Sequence, residues 1–288
     1  IPYEDKPRII EMRKNINFIN DCLKRHWSDL ELPDDKWKKL QKSLLSNKKY
    51  DYEPIRLERQ TIRRIFNDKD FTKGGRFYGG WWQNIPSDYR SLITINGKRT
   101  AEFDFAKIHP TIMYADAQAT CVGDAYNIGL NQDHRDTIKE LFNAMVQMDE
   151  FTDNPPRVKF SQTGLRWKEL RDMILERHKP IQHMFFCGIG NTLQYRDSMI
   201  AEQVMLHFAK ENIPVLPVHD SFLIQRSLLP YLVEVMETEF EKQIGVPIET
   251  REVKKLFQVN PRKDDSISVK SIFQEAKLNS DWTERNPL

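Results

Sequence analysis

Asn96-Gly97 stands between two strand-like runs, Leu92-Ile93-Thr94-Ile95 and Lys98–Phe105. This dipeptide is the strongest short-range signal for a two-residue type I′ hairpin, because both central residues of that turn take positive φ. The spacing therefore predicts two antiparallel strands joined by a very tight connection. Side chains alternate along a strand, so Phe103 and Phe105 share one face while Glu102 and Asp104 share the other. The second strand packs a phenylalanine face and presents a carboxylate face. His109-Pro110 ends it, and Thr111 to Ala119 reads as a helix with proline near its first turn.

A second hairpin signal comes over a hundred residues later. Val215–Val218 and Phe222–Ile224 are short apolar runs flanking the polar triplet His219-Asp220-Ser221. If both hairpins belong to one antiparallel sheet, Asp104 and Asp220 reach a common point. Two such carboxylates suit hard divalent cations, and a Mg²⁺ pair ~3.5–4 Å apart clamps the attacking and leaving oxygens of a phosphoryl transfer. Spacing alone leaves open that Asp104 is an ordinary strand acid and Asp220 an ordinary turn residue. Between the hairpins, His134–Gln147 has a helical stripe of Ile138, Leu141, Phe142 and Met145. Arg135 and Lys139, four residues apart, share a face away from much of that stripe. Together they suit a triphosphate, the arginine as a fork and the lysine as a point charge able to protonate a leaving pyrophosphate. A solvated helix face with Asp136 and Glu140 nearby accounts for the same residues.

The remainder of the chain sets the context. Residues 1 to about 70 read as polar and mostly helical, with Ile10, Ile16, Phe18, Ile19 and Leu23, then Leu40, Leu44 and Leu45, at helical spacing around the break at Pro33. Phe71 to Tyr89, rich in glycine and aromatics, reads as loop and short strand. Arg166 to His178 and Arg196 to Asn212 read as helices, as does the segment carrying Leu229, Leu232, Val233, Met236, Phe240 and Ile244. The net charge of +2 excludes a polycation. Even so, Arg56, Arg59, Arg63, Arg64, Lys69, Lys73, Arg76, Arg90, Lys98 and Arg99 concentrate between Glu53 and Arg99, a pattern that suits tracking of phosphates. No apolar run approaches the ~18 residues of a membrane span. Ile1 to Lys14 lacks the apolar core of a signal peptide. Cys22, Cys121 and Cys187 form no CxxC pair, which fits a reducing, cytoplasmic setting, and His183 and Cys187 read as structural.

Five segments resemble the motifs of family A DNA polymerases and the related single-subunit phage RNA polymerases. Gln83-Asn84-Ile85-Pro86 followed by Arg90 resembles the segment that touches the primer–template. Asp104-Phe105-Ala106-Lys107-Ile108-His109-Pro110 resembles motif A. Arg135, Lys139 and Phe142 resemble the fingers helix of motif B, and Val218-His219-Asp220-Ser221 resembles motif C. Gln194 is a weaker match to a glutamine placed on the segment entering the helix before motif C. The resemblance covers roughly residues 76 to 257.

The resemblance implies an α+β fold: a right-hand polymerase palm built on an antiparallel sheet, with reduced helical fingers and an N-terminal helical, thumb-like region. Its boundaries fall at 1–75 for the thumb-like or template-clamp region, 76–119 and 190–257 for the palm, 120–189 for the fingers and 258–288 for a tail. Asp104 and Asp220 would bind two Mg²⁺ ions, for which Mn²⁺ substitutes, with the Phe105 carbonyl completing a shell. Arg135, Lys139, His109 and Phe142 would contact the nucleotide, Lys139 as general acid. Gln83, Asn84, Arg90, Gln194, His219 and Arg76 would contact nucleic acid, with Tyr78 and the Trp81–Trp82 pair candidates for base stacking or core. The implied activity is template-directed transfer from a dNTP to a primer 3′-OH on a DNA primer–template, by a monomer without proofreading. A DNA replication role in a phage, a mobile element or repair would suit so small an enzyme.

Three departures qualify this. The motifs are closely spaced, so the fingers must be short. Ser221 follows Asp220, as in the phage RNA polymerases, where the DNA polymerases usually carry glutamate. Val146-Gln147 stands where a tyrosine belongs. His109 occupies the position where a bulky side chain crowds a ribose 2′-OH, favouring deoxynucleotides, although an imidazole also suits hydrogen bonding to that hydroxyl or packing beside Pro110. An RNA polymerase or primase on the same palm remains an alternative. So do a two-metal nuclease and a non-catalytic replication protein that binds nucleic acid.

Overall fold

In a computed structural model, which describes residues 3–46 and 55–253, the Asn96-Gly97 turn forms as its chemistry dictates. Their φ values are +52° and +72°, and they join β4 (Ile93–Ile95) to β5 (Lys98–Phe105) with Ile95 opposite Lys98. The chain order around this hairpin is α1 (Pro7–Lys24), β1 (Ser28–Leu30), α2 (Asp34–Ser46), β2 (Arg63–Phe66), β3 (Gly74–Tyr78) and α3 (Ser87–Arg90), then β4 and β5. After them come α4 (Ile108–Asp116), α5 (Arg135–Gln147), α6 (Trp167–Arg177), α7 (Gly190–Lys210), β6 (Leu216–Val218), β7 (Ser221–Gln225), α8 (Leu229–Ile244) and β8 (Thr250–Glu252).

The protein is a mixed α+β fold with an antiparallel sheet. The strand order is β1-β4-β5-β7-β6, and β8 also pairs with β5. Phe103 and Asp104 each have one partner on β7 and another on β8, so β7 and β8 flank opposite edges of β5. The end of β5 is therefore enclosed on both sides. Beneath it, the Phe105 ring packs against Phe222 and Phe240 with centroids 6.3 and 5.8 Å away. These contacts fix the backbone that carries Asp104.

The N-terminal residues are not only helical. β1 pairs with β4, and a second two-stranded sheet joins β2 to β3 across residues expected as helix and loop. On α1 the buried stripe is Ile9, Met12, Ile19, Cys22 and Leu23, while Ile10 and Phe18 are exposed. The i, i+3, i+7 phase begins at Ile9, not Ile10, and that one-residue shift turns Phe18 outward. Leu45 is likewise exposed, whereas Leu40 and Leu44 are buried.

α7 is the central helix, touching α1, α4, α5, α8 and β3. It begins six residues before the expected Arg196, so Gln194 lies inside it rather than on the segment leading to it. α4 likewise begins at Ile108, behind the left-handed Lys107 (φ +57°), which places His109 in the helix's first turn. Trp81 and Trp82 are both buried, their indole N–H groups donating to Ser28 Oγ and the Pro217 carbonyl, so neither is a base-stacking surface. The tail expected at 258–288 lies outside the described residues. Among the described residues no helix is long and apolar enough to cross a membrane.

Candidate active site

Asp104 pairs across the sheet with Ser221. Since Val218 pairs with Ser221 across the two-residue turn His219-Asp220, Asp220 projects one step beyond the end of that pairing. Asp104 and Asp220 line one cavity of about 290 Å³. A single side chain registers both. Arg251 on β8 donates from Nε and Nη2 to the two Asp104 carboxylate oxygens at 2.9 and 3.0 Å. These bonds raise the Arg251 pKa against the effect of burial, and Asp220 adds to the attraction.

One wall of the cavity is α5. Arg135, Lys139 and Asn143, spaced four apart, face it, together with Val146 and Gln147 near the helix end. Arg135 lies over the Tyr126 ring at 5.1 Å and is held by Asp124 through bonds of 2.6 and 3.1 Å. The Asp124 carboxyl lies below its ordinary value, because Arg135 and the Tyr126 N–H outweigh the opposing effect of burial. Lys139 has no ion-pair partner among the described residues. Phe142, expected at the nucleotide, is fully buried and packs on Tyr126, His178 and Phe185. It belongs to the apolar stripe of α5 and does not line the cavity.

Arg76 and His109, which also line the cavity, are both held by Asp197 of α7. Its carboxylate, 2% exposed, accepts from Arg76 at 2.5–3.2 Å and lies 2.8 Å from His109 Nε2. Burial opposes the Arg76 charge, but Asp197, with Asp220 adding, raises its pKa above the ordinary value. An ionised carboxylate only accepts, so Nε2 of His109 carries the proton in this contact. Gln194, one helical turn before Asp197, also lines the cavity. His219 sits where this cavity meets a second groove of about 750 Å³, which is also lined by Arg59, Arg63, Tyr78, Gln83 and Asn84. Its pKa is lowered, first by burial and then by Arg76.

Thus Arg76, Asp104, Phe105, His109, Arg135, Lys139, Gln194, His219 and Asp220 converge on the cavity, and Gln83 and Asn84 line the adjoining groove. Arg90 lines neither. It donates to Glu102 at 2.8 Å, and Glu102 in turn accepts from Ser221 Oγ at 2.7 Å. The expected basic tract is also less exposed than its sequence suggests, since Arg64, Arg76 and Arg90 are turned inward to Glu202, Asp197 and Glu102. The side chain of Gln83 is engaged as well, accepting from the Gly79 N–H and donating to the Phe77 and Pro217 carbonyls. Asp124, Tyr126, Asp197 and Arg251 are additional site residues. Of these only Asp197 has a sequence signal, its i+3 spacing from Gln194.

Among the described residues no group of three or more His, Cys, Asp and Glu side chains gathers to hold a metal, His183 and Cys187 included. The carboxylate and amide side chains of the cavity's lining are those of Asp104 and Asp220 and of Asn143, Gln147 and Gln194. Such a hard, sparse set suits Mg²⁺, which is commonly held by one or two carboxylates plus substrate phosphates and water. The guanidinium on Asp104 shows that this carboxylate accepts a cation across both oxygens.

No protein-family model and no curated relative matches the chain. Among solved structures, the chain is similar to the POL domain of Pol1 from M. smegmatis, in complex with DNA primer-template and dNTP. The TM-score is 0.45 and the identity 13%, over 68% of this chain and 48% of that one. The chain thus spans about half the length of that structure.

Proposed function

We propose that the protein is a template-directed nucleotidyltransferase, a small DNA polymerase that joins a primer 3′-OH to the α-phosphate of a deoxynucleoside triphosphate. The observation that carries this reading is the cavity in which two strand-end carboxylates, distant in the chain, face a helix presenting Arg135 and Lys139. Divalent cations bound by Asp104 and Asp220, with the Phe105 carbonyl, would activate the 3′-oxygen and stabilise the leaving oxygen. Arg135, its fork oriented by Asp124, and Lys139 would hold the triphosphate. Lys139 is the candidate proton donor to pyrophosphate. The second groove, with Arg59, Arg63, Tyr78 and Asn84, would take the primer–template, and His219 at the junction would meet the primer's last phosphate. In this reading the sheet with α7 and α8 is the palm and residues 120–189 are short fingers.

Asp197 holds His109, and in this reading His109 would face the sugar and favour deoxynucleotides. Ser221 does not argue for an RNA product: its hydroxyl is buried on Glu102 and the Val218 carbonyl, so it serves the sheet. The test is extension of a labelled primer–template with dNTPs or rNTPs, with and without Mg²⁺. Asp220→Asn is expected to lower extension by at least about 10³-fold while the melting temperature holds. Wild-type extension in that variant, or degradation of the substrate without nucleotide, would overturn the assignment.

A further inference from the structure

Asp104 is the only one of the two cavity carboxylates with a bidentate ion pair among the described residues. The partner comes from β8, where Arg251 is the residue paired with Asp104 in the sheet register, so the contact is built into the strand pairing. The Arg251 side chain is 47% exposed and reaches into the cavity from its rim. It also interacts electrostatically with Tyr126, the ring on which Arg135 lies. Arg251, Asp104, Tyr126 and Arg135 thus line one cavity.

Both Asp104 oxygens are engaged by this fork. A divalent cation using either oxygen would displace at least one of the two hydrogen bonds, and the two positive groups repel at contact distance. The displaced guanidinium has a nearby alternative, the space beside Tyr126 and Arg135, where it would add positive charge toward a triphosphate.

Resting on the polymerase reading above, we propose that Arg251 is an exchange clamp: it neutralises Asp104 when no metal is bound, and on metal binding it passes to the nucleotide's phosphates as a third cation beside Arg135 and Lys139. The consequence is coupling. Metal at Asp104 frees a phosphate ligand, and a triphosphate that draws Arg251 away opens the metal site, each favouring the other by the same factor.

Two equilibrium measurements on the full chain test this without turnover. The first is Mn²⁺ binding alone, followed by the loss of the free-ion EPR signal. Arg251→Ala is expected to bind Mn²⁺ roughly two- to fivefold more tightly than wild type, the range for a partly exposed ion pair. Arg251→Lys, which keeps the charge and loses the fork, should fall between them. The second is binding of a dNTP in Ca²⁺ with a primer–template, where Arg251→Ala is expected to bind more weakly than wild type. Unchanged or weaker Mn²⁺ binding in both variants overturns the clamp. Tighter Mn²⁺ binding with unchanged dNTP binding overturns the transfer to phosphate. Mn²⁺ binding that survives Asp104→Ala undiminished would instead remove the metal site itself, and with it the polymerase reading. Circular dichroism melts on each variant confirm that folded protein is compared.

Discussion

The β4–β5 and β6–β7 connections are both two-residue turns in one antiparallel sheet, yet they are made from opposite kinds of residue. Asn96-Gly97 supplies two residues that tolerate positive φ, and the asparagine also does structural work. Its Oδ1 accepts from the Trp27 N–H at 3.0 Å, its Nδ2 bonds His26 Nδ1 at 2.9 Å, and its own N–H donates to the Trp27 carbonyl at 2.7 Å. The turn thereby ties the start of β1 to the hairpin. In the other turn His219 takes φ +58° while Asp220 does not take positive φ, a pattern in which glycine is favoured at the first place. A non-glycine residue there costs roughly 1–2 kcal/mol. One turn has the residues that folding prefers, and the other holds an imidazole and a carboxylate at the mouth of the cleft despite the backbone cost. Strain of this kind at a cleft-lining turn is what the proposed roles of His219 and Asp220 would account for.

The strongest way to break that comparison is to give the second turn the residues of the first. The double change His219→Asn with Asp220→Gly is expected to reduce primer extension by at least about 10³-fold. The same protein should stay close to wild type in stability, because asparagine tolerates positive φ better than histidine, which offsets the lost attraction of Asp220 for Arg76 and Arg251. Urea unfolding and an extension assay on one preparation measure both. A marked loss of stability would show that His219 and Asp220 are fold determinants, and the contrast between the turns would fail.

The mirror-image change is Asn96→Ala. It removes two side-chain hydrogen bonds and places a Cβ-bearing residue without amide compensation at positive φ. About 2 kcal/mol of stability should be lost, with extension per folded molecule unchanged. Reduced extension in folded protein would mean that the peripheral hairpin sets the position of Asp104 more directly than the flanking strands β7 and β8 do.

The same contrast explains what the sequence discloses. Both hairpins are legible because turn chemistry and strand alternation are local, and Arg135 with Lys139 is legible because helical spacing is local. β2 and β8 are not, since Arg63-Arg64-Ile65-Phe66 and Thr250-Arg251-Glu252 carry charges where a strand signal needs alternation, and their pairing depends on partners elsewhere in the chain. Asp197 and Arg251 are hidden for a related reason. Each reads as an ordinary surface charge until the fold brings Arg76 and His109 to the one and Asp104 to the other. Phe142 is the converse case, a motif match that the spacing also places on the apolar stripe, and it is fully buried. Arg90 is similar: its charge suggests phosphate, but Glu102 lies opposite Leu223 on β5 with its carboxylate turned to Arg90.

Gly97→Ala is the smallest of these changes, and it calibrates the others. Gly97 is exposed at φ +72°, and a Cβ built on it meets nothing within 4 Å. Any destabilisation therefore reports the backbone conformation alone, with no steric contact and no lost side chain. The expected cost is about 1 kcal/mol, seen as a lower urea midpoint at unchanged denaturant slope, with extension unaffected. The strain assigned to His219 rests on the same left-handed conformation. If alanine at position 97 costs nothing measurable, this sheet tolerates positive φ in its turns freely, and His219 ceases to be a residue held against the preference of its backbone. If the cost is near the expected value, His219→Gly should raise stability by up to about the same amount, because both measurements then read one conformational penalty in opposite directions.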